Sequence, residues 1–137
     1  MEKAALKEHR RHSTADKPFS YYISNISEYF PNVPLHWHKE FELNVILEGK
    51  GDFVTGDKHF TAYKGDIVLT PPDMLHAVYQ HDDKRCVYDT LDLDGFMLGS
   101  RDNDRAADAF IAPLISGAYS IETHITPEHC YYSELLT

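Results

Sequence analysis

From Phe19 to about Leu98 the chain is written in short β-branched and aromatic runs, each cut off after a few positions by glycine, proline or aspartate. The interruptions are Gly49-Lys50-Gly51, Gly56-Asp57-Lys58, Lys64-Gly65-Asp66 and Pro71-Pro72-Asp73. This punctuation predicts strands over 21–26, 35–47, 52–55, 58–63, 67–69, 76–79 and 87–93. Inside and outside positions alternate most clearly in the second and last of these. Many short strands at regular spacing imply an antiparallel all-β sandwich or barrel.

The texture differs on either side of this block. Residues 1–17 favour helix in composition but carry no sustained apolar stripe, and they read as a flexible N-terminal arm. After Gly99, Ala107, Phe110, Ile111 and Leu114 recur at helical spacing behind Asp102 and Asn103, with Gly117 as a stop. Thr126-Pro127-Glu128 then predicts the start of a second helix running through Tyr131, Tyr132, Leu135 and Leu136. The chain reaches Thr137 without a stop signal, which suggests that the natural polypeptide continues. The expected organisation is an arm over 1–17, a barrel over 18–99 and a helical tail over 100–137 that pairs two subunits through the stripe around Phe110.

Composition narrows the functional classes. A chain of 137 residues fits one core, and its 12% aromatic content suits β-structure. The formal net charge of -9 would repel a phosphate backbone, so this segment is not expected to bind nucleic acid by itself. Cys86 and Cys130 lie far apart without metal-type spacing, and no apolar segment follows a basic start, so a reducing cytoplasm is the default. No stretch approaches the roughly 20 apolar residues needed to cross a bilayer as a helix. Nucleophile motifs and glycine-rich phosphate loops are absent.

The chemistry concentrates in the run His36-Trp37-His38-Lys39-Glu40-Phe41-Glu42. On a regular strand, positions an even number apart share a face, so His36, His38 and Glu42 would converge, with Glu40 and Asn44 alongside and Trp37, Lys39 and Phe41 on the other side. Two imidazoles and a carboxylate make three corners of a site for iron, manganese, nickel or zinc. His76, placed after the Pro71-Pro72-Asp73 turn, is a candidate fourth ligand. These groups could equally line a polar interior and satisfy one another by hydrogen bonds. Tyr63, with Tyr21, Tyr22 and Tyr79, could add an aromatic wall to a pocket. His9, His12, His59, His81, His124 and His129 share no spacing and read as surface residues.

The two segments resemble the paired motifs of the cupin superfamily: His36, His38, Glu42 and Gly49 match the first, and Gly65, Pro71 and His76 the second. Asp73 departs from the glycine usual there, Gln80 from an asparagine, and Phe30 from a glycine before the first motif. Within cupins, the phrases Pro34–Leu43 and Gly65–Pro72 resemble those of the N-terminal domains of AraC-like transcription regulators. The resemblance implies a double-stranded β-helix barrel, or jelly roll, that senses a small polar effector such as a sugar. It also implies a homodimer formed by tail helices, and DNA contacts made only by a separate C-terminal helix-turn-helix domain. On that reading His36, His38, Glu42, Asn44, Tyr63 and His76 form the pocket and no residue is catalytic. The rival reading is a metal-dependent cupin enzyme, a dioxygenase or isomerase, using His36, His38, Glu42 and His76.

Overall fold

The computed structural model describes residues 2–9, 12–14, 16–27, 30–94 and 121–136. Among the described residues, eight strands form the body: β1 (Phe19–Ile26), β2 (Asn32–His36), β3 (Phe41–Thr55), β4 (Lys58–Tyr63), β5 (Ile67–Thr70), β6 (His76–Gln80), β7 (Cys86–Leu93) and β8 (His124–Ile125). All pairings between them are antiparallel. One sheet has the order β1-β7-β3-β5-β8, and the second is built by β2, β6 and β4 around the far end of β3. This is a jelly-roll arrangement in which β3 passes from one sheet to the other.

The predicted strand over 35–47 does not exist as one piece. It is broken at Trp37–Glu40, so that β2 ends at His36 and β3 begins at Phe41. The expected turn at Gly49-Lys50-Gly51 is instead a continuation of β3. An irregularity between Ile46 and Glu48 in the pairing with β7 explains both the length of β3 and its change of parity. Before it Glu42, Asn44 and Ile46 are buried; after it Gly51, Phe53 and Thr55 are. An extra residue in one strand switches which face the following side chains take.

Gly49 makes this bulge possible. Its φ is 72°, a conformation that favours glycine, and a Cβ there would lie 1.8 Å from the Arg85 carbonyl oxygen. Left-handed backbone recurs at Asp82 and Asp83, with φ of 47° and 57°, in the two-residue turn closed by the bridge between His81 and Lys84. Two consecutive positive φ values define a type I′ turn, whose twist suits a hairpin.

Cross-strand register sorts the interior by polarity. Ile46 opposes Tyr88, Asn44 opposes Thr90 and Glu42 opposes Asp92 along β3 and β7. At the Ile46 end, Ile26, Phe53, Ala62, Val68, Val78 and Cys86 complete an apolar core, with Val33 and Phe60 packed on it. Burying side chains of this kind stabilises by about 1.5–3 kcal/mol each for the larger ones. The other end of the same interior is polar.

The flanks differ from expectation. Of the tail helices, the one over 107–114 lies outside the described residues. The second is much shortened: after β8, which pairs on the edge of β5, the chain turns and forms only a single-turn helix over Tyr132–Leu135. The Thr126 N–H donates to His129 Nδ1 at 2.9 Å, but most of the bonds that follow span three residues (His129 to Thr126, Tyr132 to His129, Glu134 to Tyr131), with a single four-residue bond from Leu135 to Tyr131, and such turns do not propagate well. At the other end, Lys3–Leu6 forms a 3-10 turn and Lys7 bridges to Trp37, so the N-terminal segment lies on the barrel.

Two substitutions check this account of the turns. Gly49→Ala is expected to lower stability by more than about 2 kcal/mol in urea unfolding, from strain and steric overlap with the Arg85 carbonyl. Asp83→Gly should raise it by about 0.5–1 kcal/mol, because the left-handed conformation then costs less. Equal and small effects of both would show that the turns are not built this way.

Candidate functional site

The break at Trp37–Glu40 shapes the site. His36 ends β2, His38 sits in the bend, Glu42 and Asn44 face inward from β3, and His76 opens β6. The convergence expected of His36, His38 and Glu42 therefore arises from a bend and two strands, not from alternation along one. Asp73, with φ of 64°, fixes the bend: its N–H donates to the His38 carbonyl at 2.9 Å. An aspartate tolerates that conformation better than most residues, which is how it stands in for the glycine of the motif.

Each of the three imidazoles has its Nδ1 directed at a main-chain carbonyl: His36 to Pro34 at 2.8 Å, His38 to Glu40 at 3.2 Å and His76 to Met74 at 2.8 Å. A carbonyl only accepts, so Nδ1 carries the proton and, in a neutral ring, Nε2 presents its lone pair to the interior. The Nε2 atoms of His38 and His76 are buried without a hydrogen-bond partner. They lie 3.5 Å from Glu42 Oε1 and Oε2 respectively. One donor atom from each of His36, His38, Glu42 and His76 lies within 4.8 Å of all the others. Ligands about 2.1 Å from a common ion lie roughly 3.0–3.4 Å apart when adjacent, so the set fits a divalent metal after small movements. Its three nitrogens and one carboxylate suit iron, manganese, nickel or zinc.

A second layer holds the carboxylate. Asn44 donates from Nδ2 to Glu42 Oε2 at 2.9 Å, and Thr90 donates to Asn44 Oδ1 at 2.7 Å. Burial opposes the charge on Glu42, but His38 and His76 outweigh it and hold the carboxyl well below its ordinary pKa. Burial also disfavours protonation of His76, yet Glu42 raises its pKa. His36 goes the other way, lowered by burial and by repulsion from His76.

The N-terminal segment adds residues that spacing did not reveal. His12, read as a surface residue, is 2% exposed. Its Nε2 lies 2.6 Å from Glu8 Oε2 and its Nδ1 2.8 Å from Asp92 Oδ2, so each ring nitrogen faces a carboxylate. Burial lowers its pKa, but the close carboxylates of Asp92 and Glu8 raise it to about 10. Tyr22 donates to the same Asp92 oxygen at 3.1 Å. The His12 and His38 ring centroids are 4.8 Å apart, and Glu8 Oε2 lies 3.9 Å from His36 Nε2. Glu8, His12 and His38 make a second group of converging donor atoms. The sequence signal that could have found them is slight: an i, i+4 acid and histidine in an otherwise featureless segment.

Other expectations are corrected. Tyr63 lies outside the site, 53% exposed, because it sits at the outward parity of β4, and Lys50 Nζ rests 5.9 Å from its ring centroid. Tyr21 and Tyr79 also point outward. Phe41, expected outside, is buried, since the bend before it cancels the parity argument. His124 is half-buried, stacked on Phe60 at 4.3 Å and bonded to Asp66 at 2.8 Å. Trp37 packs under the N-terminal segment: its Nε1 donates to the Lys3 carbonyl at 2.7 Å, its N–H to the Leu6 carbonyl at 3.1 Å, and its carbonyl accepts from the Glu8 N–H at 2.9 Å.

The jelly-roll barrel around three converging histidines and a glutamate has the cupin fold. The solved structures agree on that fold. A protein from Thermotoga maritima described as a predicted oxalate decarboxylase superposes with a TM-score of 0.52 at 21% identity, over 68% of this chain and 74% of that one. A Cupin 2 conserved barrel domain protein from Salinispora arenicola gives 0.51 at 22% identity, over 66% and 75%. The more particular assignment comes from sequence: residues 20–104 match the AraC-like ligand binding domain, and the chain belongs to that family. An uncharacterised HTH-type transcriptional regulator of Bacillus subtilis (strain 168), YdeC, is 28% identical over 89 residues, which is 64% of this chain and 31% of the regulator. The chain thus spans about a third of the length of that relative.

Removing the donor that braces Glu42 tests the polar layer. Asn44→Ala should cost about 1–3 kcal/mol in chemical unfolding, because a buried carboxylate oxygen and the Thr90 hydroxyl lose their partner. Tyr63→Ala should stay within about 0.5 kcal/mol of wild type, as exposed positions do. The reverse order would place the functional wall on the outer face of β4.

Proposed function

We propose that this chain is the effector-sensing domain of an AraC-like transcription regulator, with a divalent metal at His36, His38, Glu42 and His76 and a small polar effector, such as a sugar, bound beside it. DNA contacts belong to a helix-turn-helix domain outside this chain, and the working unit is a cytoplasmic homodimer. The observation that carries the site is the pair of buried, unpartnered Nε2 atoms of His38 and His76 aimed at one carboxylate. Leaving a buried polar atom unpaired costs about 1–3 kcal/mol, and a bound ion removes that cost. Family membership supports the sensing role, and the chain's net charge of -9 agrees with DNA contacts lying elsewhere.

A second reading, a metal-dependent cupin enzyme of the dioxygenase or isomerase type, is favoured by the same complete ligand set. In either case the protein supplies the same parts. Carbonyls fix the ring tautomers, Asn44 orients the carboxylate, and a metal would act as a Lewis acid toward an oxygen ligand.

Two measurements separate these. Elemental analysis of untagged protein should find about one divalent metal per chain, lost in His38→Ala. Thermal shift against sugars and related polar metabolites, with metal present, should then find a compound that raises the midpoint by several degrees at about 100 times its Kd. A sensor returns that compound unchanged by NMR after long incubation, whereas an enzyme converts it. Absence of both metal and any stabilising compound would end the proposal.

A further inference from the structure

The reading above uses four donors and leaves Glu8 and His12 unexplained. Both come from the N-terminal segment, yet they reach the same interior. His12 is 2% exposed and spans Glu8 and Asp92. Glu8 Oε2 is 3.9 Å from His36 Nε2, the nitrogen that a metal would occupy, and Glu8 and His12 converge with His38 within 4.8 Å. A cleft of about 310 Å³ between this segment and β2, lined by Leu6, Lys7, Glu8, Leu35 and His36, opens beside that edge of the site.

Two further observations point to a ligand there and not merely to a packed acidic cluster. The Nε2 atoms of His38 and His76 are buried and unpartnered, and so is Oδ1 of Asp92, 3.8 Å from His38 Nε2. In addition, the segment is tied down by main-chain and side-chain bonds to Trp37, the residue between two of the ligands. Position of the segment and position of the imidazoles are therefore mechanically joined.

We propose that Glu8 is part of the metal centre: the N-terminal segment presents its carboxylate to the His36 side of the ion, so that metal binding and docking of the segment reinforce each other. The inference rests on the metal-binding reading of the site. His12 is a positioning residue in this scheme, because it orients Glu8 through a 2.6 Å contact while Asp92 holds its other nitrogen. Reciprocity follows from linkage: whatever the segment adds to metal affinity, the metal adds to segment docking.

Trp37 is the single tryptophan of the chain and lies directly under the segment, with Lys3 and Lys7 Nζ 5.3 and 5.5 Å from its ring centroid. Its fluorescence reports docking. Manganese and zinc titrations of the full 137-residue chain, followed by calorimetry and by Trp37 emission, test the idea. Glu8→Gln preserves shape and should weaken metal binding about tenfold or more. It should also reduce the metal-induced change in Trp37 emission. Glu8→Asp, which keeps the charge but withdraws it, should fall between, and it keeps the test decisive if the glutamine variant folds poorly. Glu2→Gln, on an exposed residue of the same segment, should leave affinity unchanged. Equal metal affinity in wild type and Glu8→Gln, with binding abolished by His38→Ala, would overturn the role of Glu8 and leave the four-residue site standing. No metal binding by wild type would remove both.

Discussion

Two carboxylates buried opposite each other on neighbouring strands, Glu42 on β3 and Asp92 on β7, set the terms for the polar half of this barrel. Like charges directly across an antiparallel pair repel, and burial removes the water that would screen them. Each therefore needs its own cationic or hydrogen-bonding company. Glu42 has His38, His76 and Asn44; Asp92 has His12 and Tyr22. The cluster is thus an electrostatic unit, and a metal at the histidine face would extend a logic already present in the protein groups.

The same strand pair carries the boundary between chemistry and packing. Because Ile46 opposes Tyr88 while Glu42 opposes Asp92, a slip of one residue would turn both the core and the site outward together. Gly49 guards this register from the far side by letting β3 bulge against the Arg85 carbonyl. The motif glycine is therefore not a ligand-site residue at all. It restores the parity that brings Phe53 inward, and so joins the second sheet to the first.

Legibility in the sequence followed the reach of each signal. Strand content and most turn positions were readable because glycine, proline and aspartate act locally, although Gly49-Lys50-Gly51 proved to lie within β3. His36, His38, Glu42 and His76 could be grouped by spacing, and the structure brings them together, although the alternation argument hid a bend between His38 and Phe41. Parity failed where the strand was not regular, as Phe41 turned inward after the bend; Tyr63 was misplaced on a regular strand, because its face could be read only once β4 was paired with β3. His12 was invisible for a different reason. Its partner Asp92 is far away in sequence, and only the tertiary course of the segment could join them. The stretch after Thr126 shows the converse: a local start signal that opened no helix, the single turn forming only at Tyr132–Leu135.

The proposed sensing role requires that an event inside the barrel be felt outside it, and the site lies one residue from a contact with the N-terminal segment. His36 and His38 turn their nitrogens into the site, while Trp37 between them faces the N-terminal segment and bonds to it through Lys3, Leu6 and Glu8. A ligand that moves either ring must move the peptide that carries Trp37. Binding favours one arrangement of the segment only by the difference in its affinity for the two, and each tenfold difference corresponds to about 1.4 kcal/mol. Three main-chain and side-chain bonds, each contributing about 0.5–1.5 kcal/mol net, are of the size that such a difference could tip. Near balance of this kind is what the proposed sensing role would use.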